Sequence, residues 1–336
     1  MRHARLGLAI PNALIASLLT VFFCHVLLTQ AVAQSAPQKQ STAASTQDSF
    51  VSPQSAADAL IRAATDNDTA ALLKLFGPGG KDFLSSADPV RDKNYLDAFV
   101  AKSKEKHSVA IDPKNGSRAI LSVGNDDWPF PVPIVRNGRK WIFDSKQGHD
   151  EILFRRIGAN ELDAIQVCKG FVEAQTEYAS QIRDDSGVNQ YAQKIFSSPG
   201  KHDGLYWPDT DGAPGSPISQ AVAKAIAEGY TPNQPSGYHG YIFKVLKGQG
   251  PAARLGQLDY VINGIMIGGF ALVAVPAEYR VTGVKTFMVS YDGTVYEKDL
   301  GTDSRSLVST MERFNPDKTW HPLNEKWTQP LDSGAE

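Results

Sequence analysis

The stretch Thr282–Gly301, TGVKTFMVSYDGTVYEKDLG, decides how the C-terminal half of the chain folds. Lys285–Ser290 and Val295–Lys298 are rich in β-branched and aromatic residues. Asp292-Gly293 between them is a strong hairpin signal, because a tight turn that matches the strand twist needs residues tolerant of positive φ. Working outward, Tyr241–Leu246 and Phe270–Val275 read as further strands, and Ser219–Glu228 as a helix announced by Ser216-Pro217. Asn263–Gly269 contains G-x-x-x-G but is far too short for a membrane helix, so it reads as a tight strand connection. Before these elements, helical periodicity runs from about Asp150 to Ile182, with a bend expected at Gly158. Leu162, Ile165, Cys168, Phe171, Val172, Tyr178 and Ile182 form its apolar stripe. Cys168 sits in that stripe and reads as a buried, inert thiol.

The N-terminal half has a different order. Ser52-Pro53 predicts a helix start, with serine as cap and proline in the first helical position. Asp68 caps a short helix over Thr69–Phe76 that Gly77-Pro78 ends, and a third helix covers Val90–Lys104 with Tyr95, Leu96, Phe99 and Val100 facing inward. Strands follow at Arg118–Val123, Val132–Arg136 and Lys140–Asp144, the last two joined by Asn137-Gly138. Helices followed by an antiparallel meander predict the α+β class. The expected organisation is a leader over 1–33, a linker over 34–49, an α+β lobe over 50–157, a helix plus antiparallel-sheet lobe over 158–322, and a tail over 323–336.

The leader reading rests on Arg2 and Arg5, the apolar run Ala13–Leu28, and the small-x-small pattern Ala31-Val32-Ala33, which predicts cleavage after Ala33. An uncleaved anchor is the alternative. Phe22 and Phe23 before Cys24 argue against lipidation. The expected address is therefore periplasmic or secreted, with no membrane-spanning segment after cleavage. Residues 34–49 carry no large apolar side chain and read as a flexible linker. The chain has 336 residues, 34 basic and 36 acidic side chains, and only two cysteines. That balance argues against a nucleic-acid partner, and loss of Cys24 with the leader would leave no internal disulfide.

Two local resemblances follow from the pattern. The first lobe is similar to the cone-shaped folds related to nuclear transport factor two, and the second to the globular part of type IV pilins and pseudopilins. A polar leader and another lobe stand where a pilin has one long apolar helix. The whole chain, from about Phe50 to Pro322, resembles the bacterial family DUF2950, a domain of unknown function. The resemblance is carried by NDDWPFPVPIV (125–135), EILFRRIGANELDAIQVCKGFVEAQTEYAS (151–180), SSPGKHDGLYWP (197–208), YHGYIFKVLKGQG (238–250) and GGFALVAVPAEYRVTGVKTFMVSYDGTVYEKDLG (268–301). It implies an exported protein and assigns no activity or catalytic residue. Family members often carry D-x-D-G-D-G where this chain reads IRDDSGVNQYA (182–192).

That departure weakens a calcium reading of Asp184 and Asp185: with Gly187 at the turn, Ile182 and Gln193 occupy the first and last ligand positions. Asp209 and Asp211, with Trp207 at the first position, make a similarly incomplete loop. His202, Asp203 and Tyr206, together with His239, would form a general-base site if the fold brought them together. The competing reading makes them turn residues. Trp128, Phe130, Tyr206, Trp207 and Tyr238 are candidate binding aromatics, with Trp128 and Phe130 alternatively an edge strand packed on the first lobe. No H-E-x-x-H, G-x-S-x-G or complete phosphate loop occurs, Gly79-Gly80-Lys81-Asp82 included. The sequence thus points to no cofactor, and to a non-catalytic role with an envelope protein partner. The alternative is a hydrolase-like enzyme using the His/Asp/Tyr set.

Overall fold

Ser52 opens the first helix as its sequence predicts: its hydroxyl accepts from Ser55 N at 3.1 Å while Ser52 N donates to the Ser55 hydroxyl at 3.2 Å. In the computed structural model, which describes residues 47–323 apart from 87, 184–186, 209–214 and 232–234, this helix is α1 (Pro53–Thr65). Asp68 caps α2 (Thr69–Phe76) by accepting from Ala71 N at 2.9 Å, and Gly77 ends it at φ 67°. A single turn, α3 (Lys81–Leu84), leads to α4 (Pro89–Glu105). Leu96 and Phe99 of α4 pack inward, but Tyr95 is 45% exposed, its hydroxyl and ring held by Arg91 one turn earlier rather than by the apolar cluster.

Five short strands follow: β1 (His107–Asp112), β2 (Asn115–Val123), β3 (Trp128–Pro129), β4 (Ile134–Asn137) and β5 (Lys140–Phe143). They pair in the order β1-β2-β4-β5, with β3 also on β2, all antiparallel. Asn137 pairs with Lys140 across the turn, and Gly138 takes φ 62°. The sequence reading missed β1, whose side chains are mostly exposed and so lack apolar alternation. Ala56, Leu60, Leu75 and Phe76 from the helices meet Leu121, Ile134, Trp141 and Phe143 from the sheet in one buried cluster.

Asp144 caps α5 by accepting from Gln147 N at 3.1 Å, so this helix begins at Ser145 rather than near Asp150 and runs unbroken through Gly158 to Ala179. The early start is hidden by Gly148, which the packing demands: a Cβ there would meet a Val132 methyl at 2.5 Å. Ile182, past the helix end, is 57% exposed and not part of the buried stripe. The early turns of α5 touch the first cluster, while Ala164, Ile165, Cys168, Phe171 and Tyr178 enter a second.

Beyond α6 (Ser219–Ala227), the chain forms β6 (Tyr241–Leu246), β7 (Gly248–Gln249), β8 (Leu258–Asp259), β9 (Val261–Ile262), β10 (Ile265–Met266), β11 (Ala271–Pro276), β12 (Lys285–Ser290) and β13 (Val295–Asp299). It ends in α7 (Ser304–Thr310), β14 (Arg313–Phe314) and β15 (His321–Pro322). The main sheet has the order β15-β13-β12-β11-β6 and is antiparallel throughout. The β9–β10 turn places Asn263 and Gly264 at φ 51° and 84°, the tight connection its sequence predicts. The architecture is α+β. No helix among the described residues is long and apolar enough to cross a membrane.

Candidate functional site

β6 is the last strand of its sheet, so among the described residues one of its edges has no strand beside it. Its phase follows from Pro276, which stands opposite Tyr241 and has no N–H to give. Ala277 N donates to Gly240 O at 2.9 Å, on the same side of the chain. The backbone groups of Ile242, Lys244 and Leu246 therefore face β11, and those of Phe243 and Val245 face outward. Among the described residues nothing pairs with that outer side of Phe243 and Val245. Both ends of the gap are closed, by Tyr238 bonded to Tyr241 and by Lys247 N donating to Glu312 O at 3.0 Å.

A groove of about 1290 Å³ runs along this gap. Gly170 and Phe171 of α5 line it, as do Ile195, Ile218 just before α6, and Val222 within α6. Ile242, Phe243, Val245, Ile195 and Ile218 touch the second core yet stay only partly buried, so the groove is an opening into the core rather than a patch of stray apolar surface. Lys224, Lys244 and Arg305 also line it.

A polar network shapes the end of the groove where Tyr230 and Tyr238 stand. Asp88, 1% exposed, caps α4 by accepting from Arg91 N at 3.0 Å; it also accepts from Tyr230 Oη at 2.6 Å and Gly240 N at 3.0 Å. Asp163 on α5 accepts from Arg91 Nη1 at 2.7 Å and contacts His239 Nδ1 at 2.8 Å, while His239 Nε2 meets Glu228 Oε2 at 2.9 Å. Burial tends to raise the Asp163 carboxyl, but the His239 and Arg91 bonds outweigh it and hold it below the usual range. Burial and then a carboxylate, Asp88 or Glu228, push the Tyr230 and Tyr238 phenols up, so both stay neutral. His239 takes φ 48° and stacks on Tyr238 with centroids 3.9 Å apart.

His239 thus has both ring nitrogens engaged, Nδ1 by Asp163 and Nε2 by Glu228. Asp203 lies in a different environment, accepting from Lys194 Nζ at 2.7 Å and from Ser198 N at 2.7 Å. Burial tends to raise the Asp203 carboxyl, but those bonds prevail and lower it to about 2. His202 stacks on Trp207 with centroids 4.4 Å apart, and Tyr206 packs edge-on against Phe196. The fold therefore places His202 beside Trp207, Asp203 on Lys194, and His239 in the Asp163–Glu228 network. Trp128 pairs with Val123 on the edge of the first sheet, and Phe130 packs between Phe99 and Phe143.

Asp184, Asp185, Asp209 and Asp211 lie outside the described residues. Among the described residues no group of three or more His, Cys, Asp or Glu side chains is placed to hold a metal ion. Sequence reading overlooked Asp88, Arg91, Asp163 and Glu228, whose partners are distant in the chain. A cap motif announces Asp88, but nothing local announces its bonds to Tyr230 and Gly240. Comparison with curated proteins and with solved structures returns no match. A family model described as protein of unknown function (DUF2950) matches residues 47–323, and the chain belongs to that family.

Proposed function

We propose that this is an exported envelope protein that binds without catalysis, holding an extended polypeptide segment as an added strand on β6. The observation that carries the reading is the outer side of Phe243 and Val245, unpaired among the described residues, set in an apolar groove of about 1290 Å³ and closed at both ends by backbone bonds. An incoming strand would supply donors and acceptors to those backbone groups and place alternate side chains among Ile218, Val222 and Phe171. Export is supported by the leader pattern of residues 1–33. The pilin-like reading of the second lobe belongs to the same proposal, supported by α5 packed on the antiparallel sheet.

The outward N–H of Val245 makes the test specific. Val245→Pro removes one outward donor and leaves the β11 ladder intact, whereas Lys244→Pro removes a ladder bond. A fluorescein-labelled peptide of alternating valine and threonine should bind the wild type saturably in fluorescence anisotropy. Val245→Pro should abolish that binding with little change in Tm, and Lys244→Pro should lower Tm. Undiminished peptide binding by a folded Val245→Pro protein, or no binding by the wild type, overturns the reading. Occupancy by lipid alone, detected by native mass spectrometry, does so too.

A further inference from the structure

We infer that a second cavity, beyond the end of α5, is a binding site for a phosphoryl-bearing small molecule. The cavity measures about 580 Å³ and is lined by Arg183, Lys194, Lys201, His202 and Gln190 together with Asp203. It is a separate site from the groove and its argument does not depend on the strand-addition reading, although Lys194 borders both.

Among the described lining residues, basic side chains outnumber carboxylates. Asp203 is the carboxylate among the described lining residues, and it is already committed to Lys194 and Ser198. Among the described residues no carboxylate pairs with Arg183 or Lys201, and neither ring nitrogen of His202 has a partner. Arg183 is nonetheless held in place. Its guanidinium carbon lies 5.8 Å from the Tyr178 ring centre and 5.4 Å from that of Trp207, and its Nε makes a long 3.4 Å bond to Tyr178 O. Contacts of this kind hold the guanidinium against the two rings while its remaining N–H groups stay available to donate.

His202 is fixed as well, by its own stack on Trp207 and by Tyr178 Oη donating to its carbonyl at 2.5 Å. Arg183, Lys201 and His202 line the one cavity, and a phosphoryl group, with three acceptor oxygens and more charge than a carboxylate, can take a hydrogen bond from each of them. The volume exceeds what one phosphoryl group fills, so the ligand carries a further body, against which Gln190 and Tyr191 stand. The same phosphoryl chemistry occurs in soluble phosphate esters and in lipid headgroups.

The test uses the purified full-length chain in isothermal titration with glucose 1-phosphate, glucose and inorganic phosphate. Co-sedimentation with phosphatidylglycerol or phosphatidylcholine vesicles forms the second arm. Saturable binding of glucose 1-phosphate but not glucose is the expected result. Binding to phosphatidylglycerol vesicles alone would support the same site with a lipid as its source. Arg183→Gln and Lys201→Gln should each weaken binding at least tenfold; Lys201→Gln should leave Tm unchanged, and Arg183→Gln, which also loses its contacts with Tyr178 and Trp207, should lower Tm slightly while the melt stays cooperative. No saturable phosphoryl binding in either arm, or equal affinity in the folded Arg183→Gln protein, overturns the assignment.

Discussion

At the scale of single residues, Asp88 and Asp203 show how much one carboxylate can organise. Asp88 satisfies three donors, from Arg91, Gly240 and Tyr230, that come from two distant parts of the chain. Replacing it by alanine strands those donors in a buried place, and Asp88→Ala should cost about 3 kcal/mol in urea unfolding. Asp203 makes a prediction with a definite sign. Its carboxyl is lowered to about 2 in the folded state, against an ordinary value of roughly 4 when unfolded. Its contribution to stability is therefore complete above about pH 4 and is lost as the pH falls towards 2. Asp203→Asn should flatten that part of the acid limb in a pH series of thermal melts, and an unchanged limb would contradict the lowered carboxyl. The sequence reading singled out Asp203, beside a histidine, and passed over Asp88, although Asp88 stands before a proline. The partners of neither were legible there, because Tyr230, Gly240 and Lys194 become neighbours only through the fold.

At the scale of elements, α5 and β6 carry the site. Gly170 lies in the interior of α5 with open space where a side chain would project, and it lines the groove. Gly170→Ala should therefore raise stability by about 0.5–1 kcal/mol through helix propensity alone. Gly170→Trp, at the same open position, should fill the groove and block the valine–threonine peptide while the thermal melt stays cooperative. The elements also show where pattern reading succeeds. The caps at Ser52 and Asp68 and the turns at Asn137-Gly138 and Asp292-Gly293 are local chemistry, and each appears where its residues predict. Reading failed at β1, which hides no regular apolar face, and at the first turns of α5. There Gly148 looks like a helix breaker and is instead a close approach to Val132.

At the scale of the molecule, one helix serves two apolar clusters, and polar bonds complete the connection between them. Arg91 of α4 meets Asp163 of α5, which meets His239 before β6. Cys168 reports on the second cluster because it is fully buried, and burial pushes its thiol up to about 12. Modification of Cys168 by a thiol reagent, followed by peptide mass mapping, should be negligible in the native protein and should rise with the urea unfolding transition. Rapid native labelling would mean that this cluster opens locally.

The sequence by itself determined the α+β class, most helices, the longer strands other than β1, the tight turns and the family. These follow from residue spacing and backbone preference, which act over a few positions. Only the tertiary structure decided that β6 stands at a sheet edge beside an apolar groove. It alone engaged both nitrogens of His239 and left Arg183 without a carboxylate among the described residues. Those outcomes depend on which distant segments meet, and the free energy that selects such meetings is shared among many contacts rather than written in any one motif.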